Sequence, residues 1–295
     1  MPDDWPETPD STDIFADDLL SGETALITGG GTGIGEAMAL AFADHGADVA
    51  VASRDMDHLE PVAEAIEAKG QDACATTVDV REKAAVDAMR DTVLAELGEI
   101  TVLVNNAGAN FLTPLEDLSA NGWRAVVGTI LDGTAYCTMS VGEHMIDNGG
   151  GSIIAMGATN SVHGAPYHAH SGAGKAGIHN LMQTVASEWA TYGVRANTIA
   201  PGIIETEGVG GLDAPDGRTL PSASVPVPGR GDADSDKQQA DYLEDATHVG
   251  PPRRRATWTR LRVPATSIRA NPIGVGVSTA TTTAGGRRRP GSTSL

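Results

Sequence analysis

A glycine-rich octapeptide, Thr28-Gly29-Gly30-Gly31-Thr32-Gly33-Ile34-Gly35, constrains the fold of this chain more than any other feature. It follows a short apolar run at 25–28 and opens a helical pattern at 33–45, as the first strand-to-helix turn of a βαβ unit does. Glycines let the backbone turn tightly and approach a ligand, and the free N–H groups at a helix start favour negative charge. The spacing therefore predicts a cradle for the pyrophosphate of a dinucleotide.

Five further apolar runs, rich in Val, Ile, Thr and Ala, alternate with helical patterns up to about residue 203. This alternation is typical of repeated βαβ units, and strands with few charges are usually covered by helices on both faces. The sequence therefore predicts an α/β fold with a doubly wound, Rossmann-type parallel sheet. The predicted strands are 25–28, 48–52, 73–78, 101–104, 152–156 and 195–199, and the predicted helices are 33–45, 57–69, 82–97, 122–145 and 172–191.

Composition divides the chain into four segments. Residues 1–20 form an acidic leader, and residues 21–207 form the Rossmann domain, which is expected to bind the dinucleotide and carry the catalytic residues. Residues 208–250 begin with a stretch rich in Gly, Pro, Ala, Ser and Asp and are expected to form a loop or lid. Residues 251–295 contain nine Arg and no Asp, Glu or Lys.

The Arg-rich segment has two interpretations. Its Pro, Gly, Thr and Arg content is typical of an irregular, disordered basic tail, because such a segment buries too little apolar area to offset its ordering entropy. Alternatively, it is the product of a reading-frame shift, since 256–260 can be coded so as to read Asp-Val-Asp-Glu in a frame offset by two bases. The gene sequence distinguishes the two.

The formal charge of −19 over 295 residues argues against a nucleic acid or an anionic membrane as partner. No apolar run approaches the roughly 20 residues of a membrane span, and the amino terminus has no signal-peptide pattern, so we expect a soluble, cytoplasmic protein. An acidic surface is also typical of halophilic proteins, which predicts unfolding at low salt. Cys74 and Cys137 lack metal-type spacing, and no metal site is predicted.

The end of the second strand predicts the choice of cofactor. An acidic residue there would accept hydrogen bonds from a ribose 2′-OH and repel a 2′-phosphate. This chain has Ser53 and Arg54 instead. A hydroxyl followed by a guanidinium suits a phosphate, because charge-assisted hydrogen bonds from Arg are strong. The sequence therefore predicts NADPH in preference to NADH.

The glycine-rich turn, Asn105-Asn106-Ala107-Gly108 and Pro201-Gly202 together resemble the short-chain dehydrogenase/reductase family over residues 20–210. The resemblance implies that the asparagine segment borders the cofactor ribose, that Pro201-Gly202 lies at the nicotinamide carboxamide, and that the chain forms a homo-oligomer if its C-terminus permits. The predicted cofactor-binding residues are Thr28, Gly29, Gly31, Thr32, Gly33, Ile34, Gly35, Ser53, Arg54, Asp79, Val80, Asn106, Ala107, Gly108, Lys175, Pro201, Gly202 and Ile203.

The catalytic positions depart from the usual pattern of the family. Most members have a Tyr four residues before a Lys, and a Ser on the preceding strand end. Here Lys175 is present, but the Tyr position is Ser171 and the Ser position is Ala158. A serine hydroxyl ionises far less readily than a phenol, whose pKa is about 10, so proton donation to a carbonyl by the usual route is disfavoured.

The Ser-x-x-x-Lys variant resembles the 2,4-dienoyl-CoA reductases of this family. Further segments carry the same resemblance, namely 109–114, 117–123, 131–134, 186–189 and 192–195. It implies transfer of a hydride from NADPH to the δ carbon of a dienoyl-CoA, followed by protonation of the α carbon to give a 3-enoyl-CoA.

Four residues are assigned catalytic roles under this resemblance. Lys175 would orient the nicotinamide ribose, and Ser171 would help position the thioester or the cofactor. Asp132 would hold a water or relay a proton. Asn160, where some dienoyl-CoA reductases have a Tyr, can donate a hydrogen bond to an enolate but does not readily release a proton.

Two other readings stay open at this stage. One is an NADPH-dependent reductase of carbonyls such as 3-oxoacyl thioesters, with Tyr167 as a displaced acid. The other is an NADP-binding protein that an aberrant C-terminus has made inactive. His163, His168 and His170 have no acidic partner or metal spacing in the sequence, so they are predicted to be ordinary loop residues.

Overall fold

The structure is a computed structural model that describes residues 15–202 and Ile204. Its centre is a six-stranded sheet in the order β3-β2-β1-β4-β5-β6, in which all paired strands are parallel. This is the order of a doubly wound sheet, so the predicted Rossmann-type fold is confirmed. The strands are β1 (Thr24–Thr28), β2 (Asp48–Ser53), β3 (Ala73–Thr77), β4 (Val102–Asn105), β5 (Gly151–Met156) and β6 (Val194–Ile199).

Helices connect the strands, and their boundaries differ more from the predictions than those of the strands do. The strands agree to within one residue, whereas the single helix predicted at 122–145 is two α-helices joined by a π-helix at Gly128–Asp132. The last helix begins three residues earlier than predicted. The helices are α1 (Gly33–Asp44), α2 (Glu60–Glu67), α3 (Lys83–Leu97), α4 (Ala120–Val127), α5 (Gly133–Asp147) and α6 (Ala169–Trp189).

The core has two layers, one on each face of the sheet, because successive strand residues point to opposite faces. Leu26 of β1 and Leu103 of β4 belong to a cluster with residues of α3, α5 and α6. Ile27 and Val51 belong to a second cluster on the other face, with residues of α1 and α2. Burying each Leu or Ile stabilises the fold by roughly 1.5–3 kcal/mol. Coverage of both faces explains why the central strands β1, β2 and β4 are apolar along most of their length.

Several expectations concern residues outside those described. The loop or lid at 208–250 and the Arg-rich tail at 251–295 lie wholly outside them, and the leader at 1–20 and the domain at 21–207 are described only in part. These expectations stay predictions. Within residues 15–202, no helix is long and apolar enough to cross a bilayer.

Candidate active site

The glycine-rich turn joins β1 to α1 at the carboxyl edge of the sheet. Gly29 and Gly33 have φ values of 66° and 58°, in the left-handed region that favours glycine. A Cβ on Gly35 would lie 2.0 Å from the Gly29 carbonyl oxygen, so the helix approaches the turn as only glycine allows. No side chain caps the start of α1, and its first N–H groups are therefore suited to an anionic ligand.

Thr28 and Asn106 fasten this turn to the end of β4. The Thr28 hydroxyl accepts the backbone N–H groups of Asn106 and Ala107, each at 3.1 Å. The Asn106 side-chain amide donates to the carbonyl oxygens of Thr28 and Gly29, at 3.1 and 3.0 Å. Thr28 is buried. These two predicted cofactor residues therefore shape the cradle from behind and do not line it.

A cleft of about 320 Å³ opens beside the turn. Nine of the predicted cofactor residues line it: Gly29, Gly31, Thr32, Ser53, Arg54, Asp79, Val80, Ala107 and Gly108. Sequence reasoning missed six others: Ala52, Asp55, His58, Val78, Ala109 and Thr129. Five of these six lie within five residues of a strand end, so a search of every strand end would have found them. Thr129 lies in the π-helix, which the pattern at 122–145 did not reveal.

Among the charged residues of the cleft, Arg54 is a cation without an ion-pair partner in the described residues. Asp79 receives a bidentate ion pair from Arg81, with N–O distances of 2.9 and 2.5 Å. The hydrogen bonds from Arg81 lower the pKa of Asp79 to about 2. Asp55 caps the 3₁₀ turn that follows β2 by accepting from the Asp57 N–H at 3.1 Å. Arg54, by contrast, makes no ion pair or hydrogen bond within residues 15–202, and it is exposed.

The cleft fits a nicotinamide dinucleotide. Its glycine wall leaves no room for side chains, since a Cβ on Gly31 would come within 3.0 Å of His58, and one on Gly29 within 3.0 Å of Asn106. The uncapped helix start and Arg54 supply positive potential for phosphate groups. The residues present therefore match the shape and charge that such a cofactor requires.

Lys175 lies on α6 and reaches the end of β5. Its ammonium group donates to the Met156 carbonyl oxygen at 2.5 Å. Burial lowers the pKa of Lys175 to about 8, from an ordinary value of 10.5. No carboxylate pairs with this ammonium group in the described part of the chain. It is therefore a half-buried cation whose other donor positions remain for a ligand.

Ser171 lies one helical turn before Lys175, as predicted, and is buried. Its hydroxyl lies 3.5 Å from the Asn160 side-chain amide, which is the donor. The Asn160 Oδ1 atom is also buried and has no hydrogen-bond partner in the described residues. The structure thus brings Ser171 and Asn160 together, and both retain hydrogen-bonding capacity.

The predicted nicotinamide segment, Pro201-Gly202, follows β6 and lies next to the end of β5, near Ser171 and Asn160. The Gly157 N–H donates to the Ile199 carbonyl oxygen at 2.7 Å, and the Thr159 N–H donates to Pro201 at 3.3 Å. Pro201-Gly202 therefore lies beside the 3₁₀ turn that contains Asn160. Ile203, the third residue of this predicted segment, is outside the described residues.

Two further candidates stand apart from this group. Asp132 ends the π-helix and is exposed, and no hydrogen bond within residues 15–202 connects it to Ser171 or Lys175. Single π turns are frequent at functional sites in helices. Tyr167 precedes α6 and has a φ of 65°, the only positive φ of a non-glycine residue in the described chain. Such strain is concentrated at functional positions.

One expectation about the histidines is wrong. His170, predicted to be an ordinary loop residue, lies in the first turn of α6 and is fully buried. The prediction failed because the helix was predicted to begin at 172, whereas the backbone is helical from Ala169. His163 lies in a loop, and His168 is the N-cap residue of α6.

Comparison with known proteins decides the family. The model of the short chain dehydrogenases matches residues 23–216. This chain belongs to the short-chain dehydrogenase/reductase family. It is an oxidoreductase, and the fold of this family implies a nicotinamide cofactor. A crystal structure of a short-chain type dehydrogenase/reductase from Mycobacterium marinum superposes with a TM-score of 0.63 at 35% identity, over 64% of this chain and 76% of that one.

Two curated relatives carry more specific names. A Bacillus subtilis (strain 168) protein is named "probable 2,4-dienoyl-CoA reductase [(2E)-enoyl-CoA-producing]", and it is 40% identical over 63% of this chain and 74% of its own length. A D-threitol dehydrogenase from Mycolicibacterium smegmatis is 36% identical over 68% of this chain and 78% of its own length. The first name agrees with the predicted subgroup, and the second names a dehydrogenase of a different substrate at similar identity.

Proposed function

We propose that this oxidoreductase reduces an unsaturated acyl-CoA with NADPH, as a 2,4-dienoyl-CoA reductase does. The observation that carries the proposal is Ser171 at the position of the usual catalytic tyrosine, one turn before Lys175. Reduction of a ketone requires an acid at the carbonyl oxygen, which a serine hydroxyl is not. Reduction of a conjugated thioester requires donors that stabilise an enolate-like oxygen, and a serine hydroxyl and an amide supply these.

The choice of NADPH is supported by the charges at the adenosine end of the cleft. Arg54 lines the cleft without an ion-pair partner in the described residues, whereas Asp79 is neutralised by Arg81. The charge of Arg54 also acts on Asp79 across the cleft, but no ion pair or hydrogen bond in the described residues occupies the guanidinium donors, which are therefore available to a phosphate. The Ser53 hydroxyl lies at the same strand end, although here it bonds to the backbone of Asp55.

The ammonium group of Lys175 provides positive potential at the end of β5, beyond the residues that line the cleft. Bound NADPH would supply the hydride. Because Lys175 donates one hydrogen bond to Met156, its orientation is set by the end of β5, and its remaining donors can hold the nicotinamide ribose. In a buried site, one such charge stabilises developing negative charge more strongly than it would in water.

Ser171 and Asn160 would hold the thioester. As the acyl group accepts electrons, negative charge develops on its carbonyl oxygen, and the Asn160 amide and the Ser171 hydroxyl can both donate to it. Neither group is acidic enough to protonate the carbon, so the proton must come from water. Asp132 is exposed, and we assign it the role of holding that water, as its position one residue before α5 allows.

The substrate assay tests this proposal directly. We expect the protein to consume a 2,4-dienoyl-CoA faster with NADPH than with NADH. The assay is run at several salt concentrations, from low to high, because the protein is strongly acidic. NADPH absorbance gives the rate. Mass spectrometry and double-bond analysis give the product, which is a 3-enoyl-CoA in our proposal and would be a 2-enoyl-CoA if the chain acts as its Bacillus subtilis relative is named.

A second function has one observation in its favour, namely the strained backbone of Tyr167 next to α6. If this tyrosine acts as a displaced acid, the protein reduces a 3-oxoacyl-CoA or another ketone. The same assay therefore includes 3-oxoacyl-CoA with NADPH, and D-threitol with NADP⁺. Turnover of a ketone or polyol without any turnover of the dienoyl-CoA would overturn the proposal.

Substituting Arg54 tests the cofactor assignment. We expect Arg54→Ala to raise the KM for NADPH by about 10–100-fold, because a charge-assisted hydrogen bond contributes about 1.5–3 kcal/mol. The KM for NADH should change less than about two-fold, since NADH has no 2′-phosphate for the guanidinium to bind.

The matched control is Arg195→Ala. Arg195 is an exposed arginine near the start of β6, at the opposite end of the strand from the cleft, and it is expected to leave both KM values unchanged. Equal losses for NADPH and NADH in Arg54→Ala would show that Arg54 does not recognise the 2′-phosphate.

A further inference from the structure

His170 is the most unusual polar side chain outside the groups described so far. It lies in the first turn of α6, directly before Ser171, and is fully buried. Burial lowers the pKa of His170, and neighbouring His168 lowers it further, which favours the neutral imidazole. The contacts of this buried imidazole, with the Ser171 backbone and with Phe111, indicate its role.

The first contact of His170 replaces a helix cap. Its Nδ1 atom accepts the backbone N–H of Ser171 at 2.9 Å. The N-cap residue, His168, makes no side-chain cap, because its own Nδ1 lies 2.7 Å from the Pro166 carbonyl oxygen. One of the free N–H groups of the first turn is thus satisfied by His170. Because Nδ1 is the acceptor, the proton of the neutral ring is on Nε2.

The second contact joins His170 to the loop that follows β4. The Phe111 ring meets the imidazole edge to face, with centroids 4.5 Å apart and planes at 85°. The tip of Phe111 also fills the space above Gly122, where a Cβ would lie 2.9 Å from Phe111 Cζ. Phe111 therefore lies between the first turns of α4 and α6.

The same loop lines the cofactor cleft and has a second connection to the start of α6. Gly108 and Ala109 line the cleft, and the Thr113 N–H donates to the Tyr167 carbonyl oxygen at 3.3 Å. The Nε2 atom of His170 is buried and has no hydrogen-bond partner among the described residues, and the Phe111 ring packs against the same imidazole.

We propose that His170 is a positioning residue that sets the distance between the thioester-binding Ser171 and the loop 108–113. One edge of the imidazole holds the Ser171 backbone, and the ring supports Phe111, so a single side chain connects the two walls between which the substrate must lie. The inference rests on the proposed function for its kinetic effects, but its structural part stands independently of the substrate.

Three substitutions separate the two contacts. His170→Asn retains a side-chain acceptor for the Ser171 N–H and removes the ring, so we expect kcat within about two-fold and a KM for the acyl-CoA raised by about ten-fold. His170→Phe retains the ring pair and removes the acceptor, so we expect the reverse, with kcat lowered by about ten-fold and KM little changed. His170→Ala should show both effects. His170→Phe, which keeps the contact with the loop, should change the Kd for NADPH by no more than about two-fold.

His179→Ala is the control, because His179 is an exposed histidine of α6 that lies 3.3 Å from the Gln183 side-chain nitrogen and contacts neither Ser171 nor Phe111 through a hydrogen bond or ring pair in the described residues. Hydrogen–deuterium exchange of the NADPH-bound protein gives a readout that needs no turnover. We expect faster exchange at the loop 108–113 in His170→Asn, at the start of α6 in His170→Phe, and at both in His170→Ala.

The outcomes distinguish this inference from the proposed function. If the wild type reduces no acyl-CoA, the proposed function fails, while the exchange pattern still decides whether His170 connects the two segments. The inference is overturned if His170→Asn and His170→Phe show the same changes in kcat and KM, and if hydrogen exchange becomes faster throughout the protein as thermal stability falls. His170 is then an ordinary core residue.

Discussion

Replacing Lys175 with Met is expected to abolish reduction and, at pH 7, to stabilise the fold. The ammonium group is the only cation that α6 brings to the end of β5, and its loss should lower kcat/KM by about 10²–10³-fold or more. Burial lowers the pKa of Lys175 from 10.5 to about 8, which corresponds to a cost of roughly 3 kcal/mol below pH 8 at about 1.4 kcal/mol per unit.

The stability gain is smaller than this cost, because Met cannot donate to the Met156 carbonyl oxygen. A hydrogen bond from a charged donor contributes about 1.5–3 kcal/mol, so the net gain is on the order of 1 kcal/mol. A change of this size raises the Tm of a domain of this length by about 2–4 °C. Thermal unfolding at pH 7 measures it, and an unchanged or lower Tm in Lys175→Met would contradict the assigned burial cost.

The sign of the pH dependence follows from the same shift. Below about pH 8 Lys175 is charged in both the folded and unfolded states, and the full burial cost is present. Between about 8 and 10.5 the unfolded state binds more protons, so the wild type regains roughly 3 kcal/mol as pH rises. This exceeds the advantage of Lys175→Met at pH 7, so the stability difference passes through zero and the wild type becomes the more stable protein, because it keeps the hydrogen bond to Met156. Activity has the opposite trend, because loss of the ammonium charge should lower kcat/KM as pH rises through about 8.

Lys175→Arg is the matched control for the pH profile. Arg retains its charge at all accessible pH values, so this variant should lose activity through altered geometry but show no decline near pH 8. If its decline coincides with that of the wild type, another group controls the profile.

Substitution of Gly35 by Ala is expected to remove cofactor binding. The added Cβ would lie 2.0 Å from the Gly29 carbonyl oxygen and 2.6 Å from the Asn106 side-chain nitrogen, and the first of these is backbone that cannot rotate away. The turn must therefore open. We expect destabilisation by about 2–3 kcal/mol and an NADPH affinity lowered by about 100-fold or more.

Gly164→Ala provides the comparison, because a Cβ at that position has no atom within 4 Å. NADPH fluorescence titration and thermal unfolding of both variants measure the effects. An affinity of Gly35→Ala within about three-fold of the wild type would show that the turn does not form the pyrophosphate site.

The fold could be predicted almost completely because its signals are local. Each predicted strand is a short run with few charges. The glycine-rich turn indicates where the first strand ends and the first helix begins. The helices were less well predicted. Ile130 and Leu131 of the π-helix pack against Gly174 and Gly177 of α6, and the first turn of α6 contains an acceptor that the His170 side chain supplies. Neither contact follows from the local pattern.

The positions of the candidate site residues could be predicted from the sequence where steric limits or charge restrict what a residue can do. Gly29, Arg54 and Lys175 follow from steric limits and charge, and each lies where the pattern placed it. Thr28 and Asn106 were assigned to the cofactor, but they hold the turn from behind, because their donors and acceptors are used within the backbone network. Spacing alone does not distinguish a lining residue from a supporting one.

The sequence by itself determined the parallel sheet, the dinucleotide cradle, the family and the replacement of tyrosine by Ser171, because these depend on periodicity, glycine sterics and residue identity along the chain. The tertiary structure alone decided which charges are free and which are paired, and how deeply Lys175 and His170 are buried. Those properties arise from contacts between residues far apart in the chain, such as Phe111 with His170 and Lys175 with the end of β5. The order of residues along the chain does not give the distances between side chains on which ion pairing and burial depend.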